Sequence, residues 1–254
     1  MKNWALILGA SSGIGAACAK KLAESGMNIY GIYLRKPQSV IDKLETYIKS
    51  QNVEVQFHKM NAINDDKRHE AINNLKQLGK VKTFIHSIAF GTLKPILSKN
   101  NEPTLDAKNI DMTINVMGSS LVYWAQDLYN ADLLEKGSQI FSMTSSGGHR
   151  QWPSYGAVSM AKATLESASR QLAIELASEG IAVNAIQAGV TDTPALRKIP
   201  GSEQMIEYAN NHNPSGRLTT PEDIADYITL LSQSSNFWMT GNVLRIDGGE
   251  DIMG

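Results

Sequence analysis

Short unbroken apolar runs alternate along this chain with longer stretches that carry an apolar residue every third or fourth position. Residues 4–9, Trp-Ala-Leu-Ile-Leu-Gly, are apolar without alternation, as expected of a strand covered on both faces. From 16 to 25 the pattern changes to helical spacing through Ala16, Ala19, Leu22 and Ala23, and Gly26 closes that helix. The same reading predicts further strands at 28–34, 53–60, 83–88, 139–144, 182–186 and 242–246. It predicts helices at 39–50, 65–78, 105–130, 153–178 and 221–233, with a less regular stretch before the last. Strand and helix in turn imply an α/β fold: a doubly wound parallel sheet of about seven strands with helices on both faces. No repeat, low-complexity tract or linker divides the sequence, so residues 1–254 are expected to form one domain.

Ligands of such sheets bind outside the carboxyl ends of the strands, which selects six loops as candidate chemistry: 9–15, 35–36, 61–62, 86–91, 144–155 and 188–193. The first of these, Gly9-Ala-Ser-Ser-Gly13-Ile-Gly15, stands between a strand and a helix. Glycines there let the backbone approach a pyrophosphate, and the helix N-terminus offers unpaired N–H groups. Three glycines alone also make an ordinary tight turn; the strand–turn–helix context favours a dinucleotide. After the second strand an NAD-binding chain would place a carboxylate. Here it reads Leu34-Arg35-Lys36-Pro37, and two cations suit the 2′-phosphate of NADPH, with NADH the alternative; an ordinary basic loop would also read this way.

Tyr155 and Lys162 are separated by six residues, which on a helix puts them on one face, two turns apart. An ammonium beside a phenol is expected to favour the phenolate, preparing the tyrosine to give a proton or stabilise an oxyanion. An isolated pair of this kind would be a packed tyrosine and a solvated lysine. The topology instead brings their loop beside the glycine turn.

Composition narrows the partners. With 24 basic and 25 acidic residues and no long block of either sign, nothing suggests nucleic acid or a polybasic membrane patch. One cysteine, Cys18, permits neither an intramolecular disulfide nor a cysteine metal cluster, and the five histidines lack ligand spacing, so no metal is expected. The short apolar run at the N-terminus lacks the layout of a signal peptide or a membrane span, and the expected location is cytoplasmic.

The glycine spacing, Asn115-Val-Met-Gly118, the Tyr155/Lys162 pair and Ile246-Asp-Gly-Gly249 together resemble the short-chain dehydrogenase/reductases, a Rossmann-type superfamily, over essentially the whole chain. Common members place the lysine four residues after the tyrosine, where this chain has Ser159. A gap of six is similar to the enoyl-acyl-carrier-protein reductases. His86-Ser-Ile-Ala-Phe90, Arg150, Pro153, the run from Ala188 to Thr193 and the segment 213–225 look like that group too, in particular its NADPH-dependent bacillary branch.

The resemblance implies an NADPH-dependent reduction of trans-2-enoyl thioesters carried on acyl carrier protein, in fatty-acid synthesis, by a homotetramer. A carbonyl reductase acting on a 3-oxoacyl thioester or a hydroxysteroid-like substrate is the first alternative, and a dinucleotide sensor without catalysis the second. By resemblance Lys162 holds the nicotinamide ribose, Tyr155 donates to the thioester oxygen, and Ser145 donates a second hydrogen bond, with a loop-capping role for it equally open and Ser142 and Ser146 as competitors. Gly9, Ser11, Ser12 and Ile14 are expected at the phosphates, with Arg35 and Lys36 at the 2′-phosphate. Asn61 and Ala62 are expected at the adenine, Ser87, Ile88 and Ala89 at the ribose, and Thr191 with Thr193 at the carboxamide and phosphates. Asn115 either organises a proton relay or packs a helix. His149 reads as a solvated loop residue. Gln151 stands where the bacillary branch has another tyrosine. Residues 194–216 fit a flexible substrate lid lined by Ile199, Met205, Ile206 and Tyr208, or an ordinary surface helix.

Overall fold

Strand β1 (Asn3–Leu8) shows why the first apolar run does not alternate. Trp4, Leu6 and Leu8 enter one hydrophobic core, and Ala5 and Ile7 enter another on the opposite face of the sheet. A strand buried on both faces needs apolar residues at every position. The computed structural model describes residues 2–253.

After β1 come α1 (Gly13–Glu24), β2 (Asn28–Tyr33), α2 (Gln38–Lys49), β3 (Val55–Lys59), α3 (Asp65–Leu78) and β4 (Lys80–His86). The second half runs α4 (Ala107–Ile114), α5 (Ser120–Asn130), β5 (Gln139–Ser145), α6 (Gly156–Leu176), β6 (Ala182–Ala188), α7 (Ser202–His212), α8 (Pro221–Gln233) and β7 (Val243–Ile246). All seven strands pair in parallel in the order β3-β2-β1-β4-β5-β6-β7. Helices α3, α5 and α6 seal the core that holds Trp4, Tyr30, Phe84 and Trp124. Helices α1, α2 and α8 seal the other, around Ile7, Ile29, Phe141 and Ile186. The order reverses between β1 and β4, and the crevice above that reversal is where a doubly wound sheet takes its ligand.

Beyond shifts of up to three residues at other ends, such as β4 at Lys80–His86 rather than 83–88, four differences from the sequence expectation have a local reason. Helix α1 starts at Gly13 rather than 16, because the glycine turn itself supplies its first turn. The helix expected at 105–130 starts at Ala107 and is broken by a widened π-type turn at Asn115–Ser119. Helix α6 starts at Gly156 rather than 153, since Ser154 takes a left-handed backbone (φ 62°) that no helix accepts. The irregular stretch after β6 contains the ordered helix α7.

Candidate active site

The glycine turn is built for close backbone contact. Gly9 has φ 83°, and a Cβ on it would stand 2.2 Å from the Ser87 carbonyl oxygen, so only glycine lets β1 and the loop after β4 meet. Gly15 is equally constrained, since a Cβ on it would stand 2.3 Å from the Gly9 carbonyl oxygen. Ser12 is the N-cap of α1 but makes no side-chain capping hydrogen bond, so the helix presents uncapped N–H groups to the crevice. Ser11, Ser12 and Ile14 are partly exposed there. The Thr193 side chain lies beside the turn, 3.4 Å from where a Gly13 Cβ would be, so the loop after β6 closes over the same place. These features fit a bound pyrophosphate.

The remaining cofactor candidates line the crevice with different degrees of preparation. Ser87, Ile88 and Ala89 follow the end of β4, as the order of strands requires. Arg35 is exposed and stacks over the Phe90 ring at 5.0 Å, while Lys36 is half-buried. Asn61 accepts a hydrogen bond from the Ile63 N–H at 3.3 Å in a local turn, and the Ala62 carbonyl is taken by Trp124 Nε1 at 2.9 Å. Thr191 is buried, donates to the Gly189 carbonyl at 2.9 Å and bridges to Thr219.

Tyr155 caps α6 from just outside it, and Lys162 lies two turns further in, buried. The Lys162 ammonium donates to the Met143 carbonyl of β5 at 2.5 Å. Burial lowers its pKa to about 8, opposed by the negative charge of Glu166 one turn on. Ser145 ends β5 with its Oγ buried and unpartnered. Gly147 lets the Tyr155 ring reach it: a Cβ there would stand 2.5 Å from the ring and 3.2 Å from Ser145 Oγ. Burial raises the Tyr155 pKa above the ordinary phenol value, with the Ser145 hydroxyl pulling against that rise. The expectation of a lysine-favoured phenolate is therefore corrected. Burial is the larger influence on this phenol and the Ser145 hydroxyl the smaller, opposing one, so the phenol holds its proton.

Of the competitors of Ser145, Ser142 has its hydroxyl engaged elsewhere, and Ser146 is known by its backbone. Ser142 Oγ shares a hydrogen bond of 2.8 Å with Ser169, deep under α6. The Ser146 carbonyl holds the turn that follows, accepting from His149 and Arg150. Asn115 accepts from the Tyr123 hydroxyl at 2.9 Å and heads the widened turn.

Three features of the site went unread in the sequence. Glu166 accepts from the Thr144 hydroxyl at 2.5 Å, and Glu166 had a signal in its spacing of four from Lys162. His86, fully buried, meets Ser120 Oγ at 2.7 Å through Nε2. Ser120 donates to the Val116 carbonyl at 2.8 Å, so Nε2 carries the proton and Nδ1 is left a buried, unpartnered acceptor. Burial and the Lys162 charge push the His86 pKa down to about 3, and the ring is neutral.

The third is Asp251, whose carboxylate is nearly buried and receives Arg150 Nε at 2.9 Å, His149 Nε2 at 3.1 Å and Arg245 Nε at 3.3 Å. His149 is thus tied down rather than simply solvated, by a partner 102 residues away that no local pattern shows. The same C-terminal tail bonds the Val190 N–H through Glu250 and the Asn213 side chain through the Asp247 carbonyl. In the expected lid, Ile199, Met205 and Ile206 are half-buried, and Tyr208 is half-exposed and stacked on His212 at 3.9 Å. Gln151 is exposed.

Among the described residues no helix is long and apolar enough to cross a membrane, and no three His, Cys, Asp or Glu side chains are grouped to hold a metal.

Comparison with known proteins agrees with this geometry. The family model described as enoyl-(acyl carrier protein) reductase matches residues 9–250. The NADH-dependent enoyl-[acyl-carrier-protein] reductase of Enterococcus faecalis is 27% identical over 91% of this chain and 90% of that protein. Its counterpart in Aquifex aeolicus is 31% identical over 73% of this chain and 69% of the relative. A crystal structure of the Aquifex aeolicus reductase superposes with a TM-score of 0.87 at 25% identity, covering 99% of this chain and 97% of the other. An uncharacterized oxidoreductase of Bacillus subtilis is 28% identical over 96% of this chain and 95% of that one. The chain is therefore a nicotinamide-dependent oxidoreductase of the short-chain dehydrogenase/reductase superfamily, and it belongs to the enoyl-(acyl carrier protein) reductase family.

Proposed function

We propose that this protein reduces the 2,3 double bond of trans-2-enoyl thioesters with NADPH, taking its substrate from acyl carrier protein in fatty-acid synthesis. The observation that carries the reading is the six-residue separation of Tyr155, outside α6, from Lys162, buried inside it. In ketone reduction the hydride lands on the carbon that bears the oxygen. In enoyl-thioester reduction it lands on Cβ, and charge develops on an oxygen three bonds away. With Lys162 fixed at the nicotinamide ribose, a tyrosine set back by about one turn meets that more distant oxygen.

The bound nicotinamide supplies the hydride. Gly9, Ser11, Ser12 and Ile14, with Thr191 and Thr193, hold the phosphates and the carboxamide. Asn61 and Ala62 border the adenine, and Ser87, Ile88 and Ala89 the ribose. Tyr155, protonated at neutral pH, donates a hydrogen bond to the thioester oxygen as it gains charge, and the Lys162 ammonium adds positive potential. The position of Ser145 Oγ, buried beside the phenol, supports a second donation from it to the same oxygen. That detail also favours the second reading, a carbonyl reductase on a 3-oxoacyl thioester.

The preference for NADPH rests on Arg35 and Lys36 standing after β2 where a carboxylate would select NADH. The named enoyl reductase relatives are NADH-dependent, so NADPH rests on these two cations alone, and NADH is the alternative. A homotetramer belongs to the same reading, as does a substrate lid at 194–216; Tyr227, Leu230 and Trp238 are 55%, 62% and 85% exposed and suit burial between copies.

The test is NADPH and NADH oxidation with a trans-2-enoyl thioester and, in parallel, a 3-oxoacyl thioester. Turnover of the enoyl substrate is expected, faster with NADPH, and Tyr155→Phe is expected to lower kcat by about 10²-fold or more. Turnover of the oxo substrate alone would replace the reading with carbonyl reduction. NADPH binding without any turnover would leave a sensor.

A further inference from the structure

Lys162 and Glu166 lie one turn apart on α6, and each reaches one of two consecutive residues of β5. The ammonium takes the Met143 carbonyl at 2.5 Å, and the Glu166 carboxylate takes the Thr144 hydroxyl at 2.5 Å. Side chains four apart on a helix stand with their Cβ atoms about 6 Å from one another. Gly148 leaves the room: a Cβ there would stand 2.6 Å from Glu166 Oε1. The two groups form no direct ion pair; each is held by the strand, and the charges act across the gap.

We propose that Glu166 is a positioning residue for Lys162. Its carboxylate, fixed by Thr144, holds the buried ammonium in its charged form at the Met143 carbonyl. This goes one step beyond the reductase reading and shares with it only the importance of Lys162.

The other groups around Lys162 do not supply that charge. From β4 comes His86, neutral with its pKa pushed down to about 3 by burial and by Lys162 itself. From the mouth of α6 comes Tyr155, a phenol whose pKa burial raises. Strand β5 contributes Ser142, Thr144 and Ser145, none of which ionises. Burial alone drives the lysine toward its neutral form, and Glu166 is the anion that opposes it.

The decisive measurement is the titration of Lys162 itself, by NMR of protein carrying 13C at lysine Cε, with the resonance identified by its absence in Lys162→Arg. Wild-type protein is expected to titrate near 8. Glu166→Gln, which still accepts from Thr144, is expected to lower the midpoint by roughly one pH unit, the size of one nearby opposite charge. Glu166→Asp should recover part of it. The alkaline limb of kcat/KM should move down by the same amount, a shift that a merely structural glutamate would not produce. An unchanged midpoint in folded Glu166→Gln overturns the proposal. Should that variant fail to fold, Thr144→Val decides, with a smaller downward shift expected and no shift fatal. The lysine titration uses no substrate, so it stands even if enoyl turnover is never found.

Discussion

The two halves of the crevice are built in opposite ways. On the cofactor side, β1, the glycine turn and α1 are consecutive in the chain, and what they offer is backbone: Gly9, Gly15 and the uncapped end of α1. On the substrate side, Ser145, Tyr155 and Lys162 ride on a loop and helix whose side chains are fixed by groups far away in sequence. Arg150 and His149 are tied to Asp251, and Lys162 is poised between Met143 and Glu166. The first half depends on the absence of side chains, the second on their presence. Errors in the first should therefore act through space, and errors in the second through charge and geometry.

The comparison breaks hardest at Gly15. Gly15→Ala places a methyl 2.3 Å from the Gly9 carbonyl oxygen, backbone against backbone, with no side chain to yield. A loss of about 3 kcal/mol in denaturant unfolding is expected, together with loss of dinucleotide binding by fluorescence titration. Gly26→Ala is the matched control. Its φ of 87° is strained for alanine but nothing lies within 4 Å, so a cost near 1 kcal/mol with cofactor binding intact is expected.

On the other side, Asp251→Asn removes the anion that collects His149, Arg150 and Arg245. Burial alone would raise the Asp251 pKa, but the Gln187 hydrogen bond and these three basic neighbours outweigh it and hold the carboxyl below its ordinary range. The partners are about half exposed, so roughly 2 kcal/mol of stability should be lost. The sharper readout is local: kcat should fall while cofactor affinity holds, and limited proteolysis should now cut within 146–155. Equal damage to both halves would mean that they are one unit.

Acid sensitivity belongs to neither half alone and is spread over a range of pH. His86 is neutral in the fold with its pKa at about 3, whereas an unfolded histidine titrates near 6.5. Its contribution is therefore complete above about 6.5 and is lost as pH falls toward 3, because the unfolded chain then binds the extra proton. The slope approaches about 1.4 kcal/mol per pH unit within that window. Unfolding titrations at a series of pH values should show it, and His86→Gln should flatten it between about 6.5 and 4.

The helix-strand rhythm, the parallel sheet and the glycine turn were legible in the sequence, because each rests on short-range physics: burial on both faces of β1, helical spacing of Ala19 and Leu22, strand followed directly by glycine and helix. The Tyr155/Lys162 pair was legible as a spacing. Its electrostatics were not, since the tyrosine's protonation depends on how deeply its loop is buried, and that depth comes from Gly147, Ser145 and the packing of α6 on β5. The helical order of 202–212 stayed open against a flexible lid because only Ser202 and Ala209 are buried, which leaves too thin an apolar face to mark a helix.

Sequence by itself determined the architecture, the class of cofactor and the family's reactive pair, since these are encoded in neighbours along the chain. Only the tertiary structure decided which serine faces the phenol, what charge stands behind the lysine, and that Asp251 holds the loop ahead of α6. Those facts depend on contacts such as His149 with Asp251, 102 residues apart, where folding alone sets the distance.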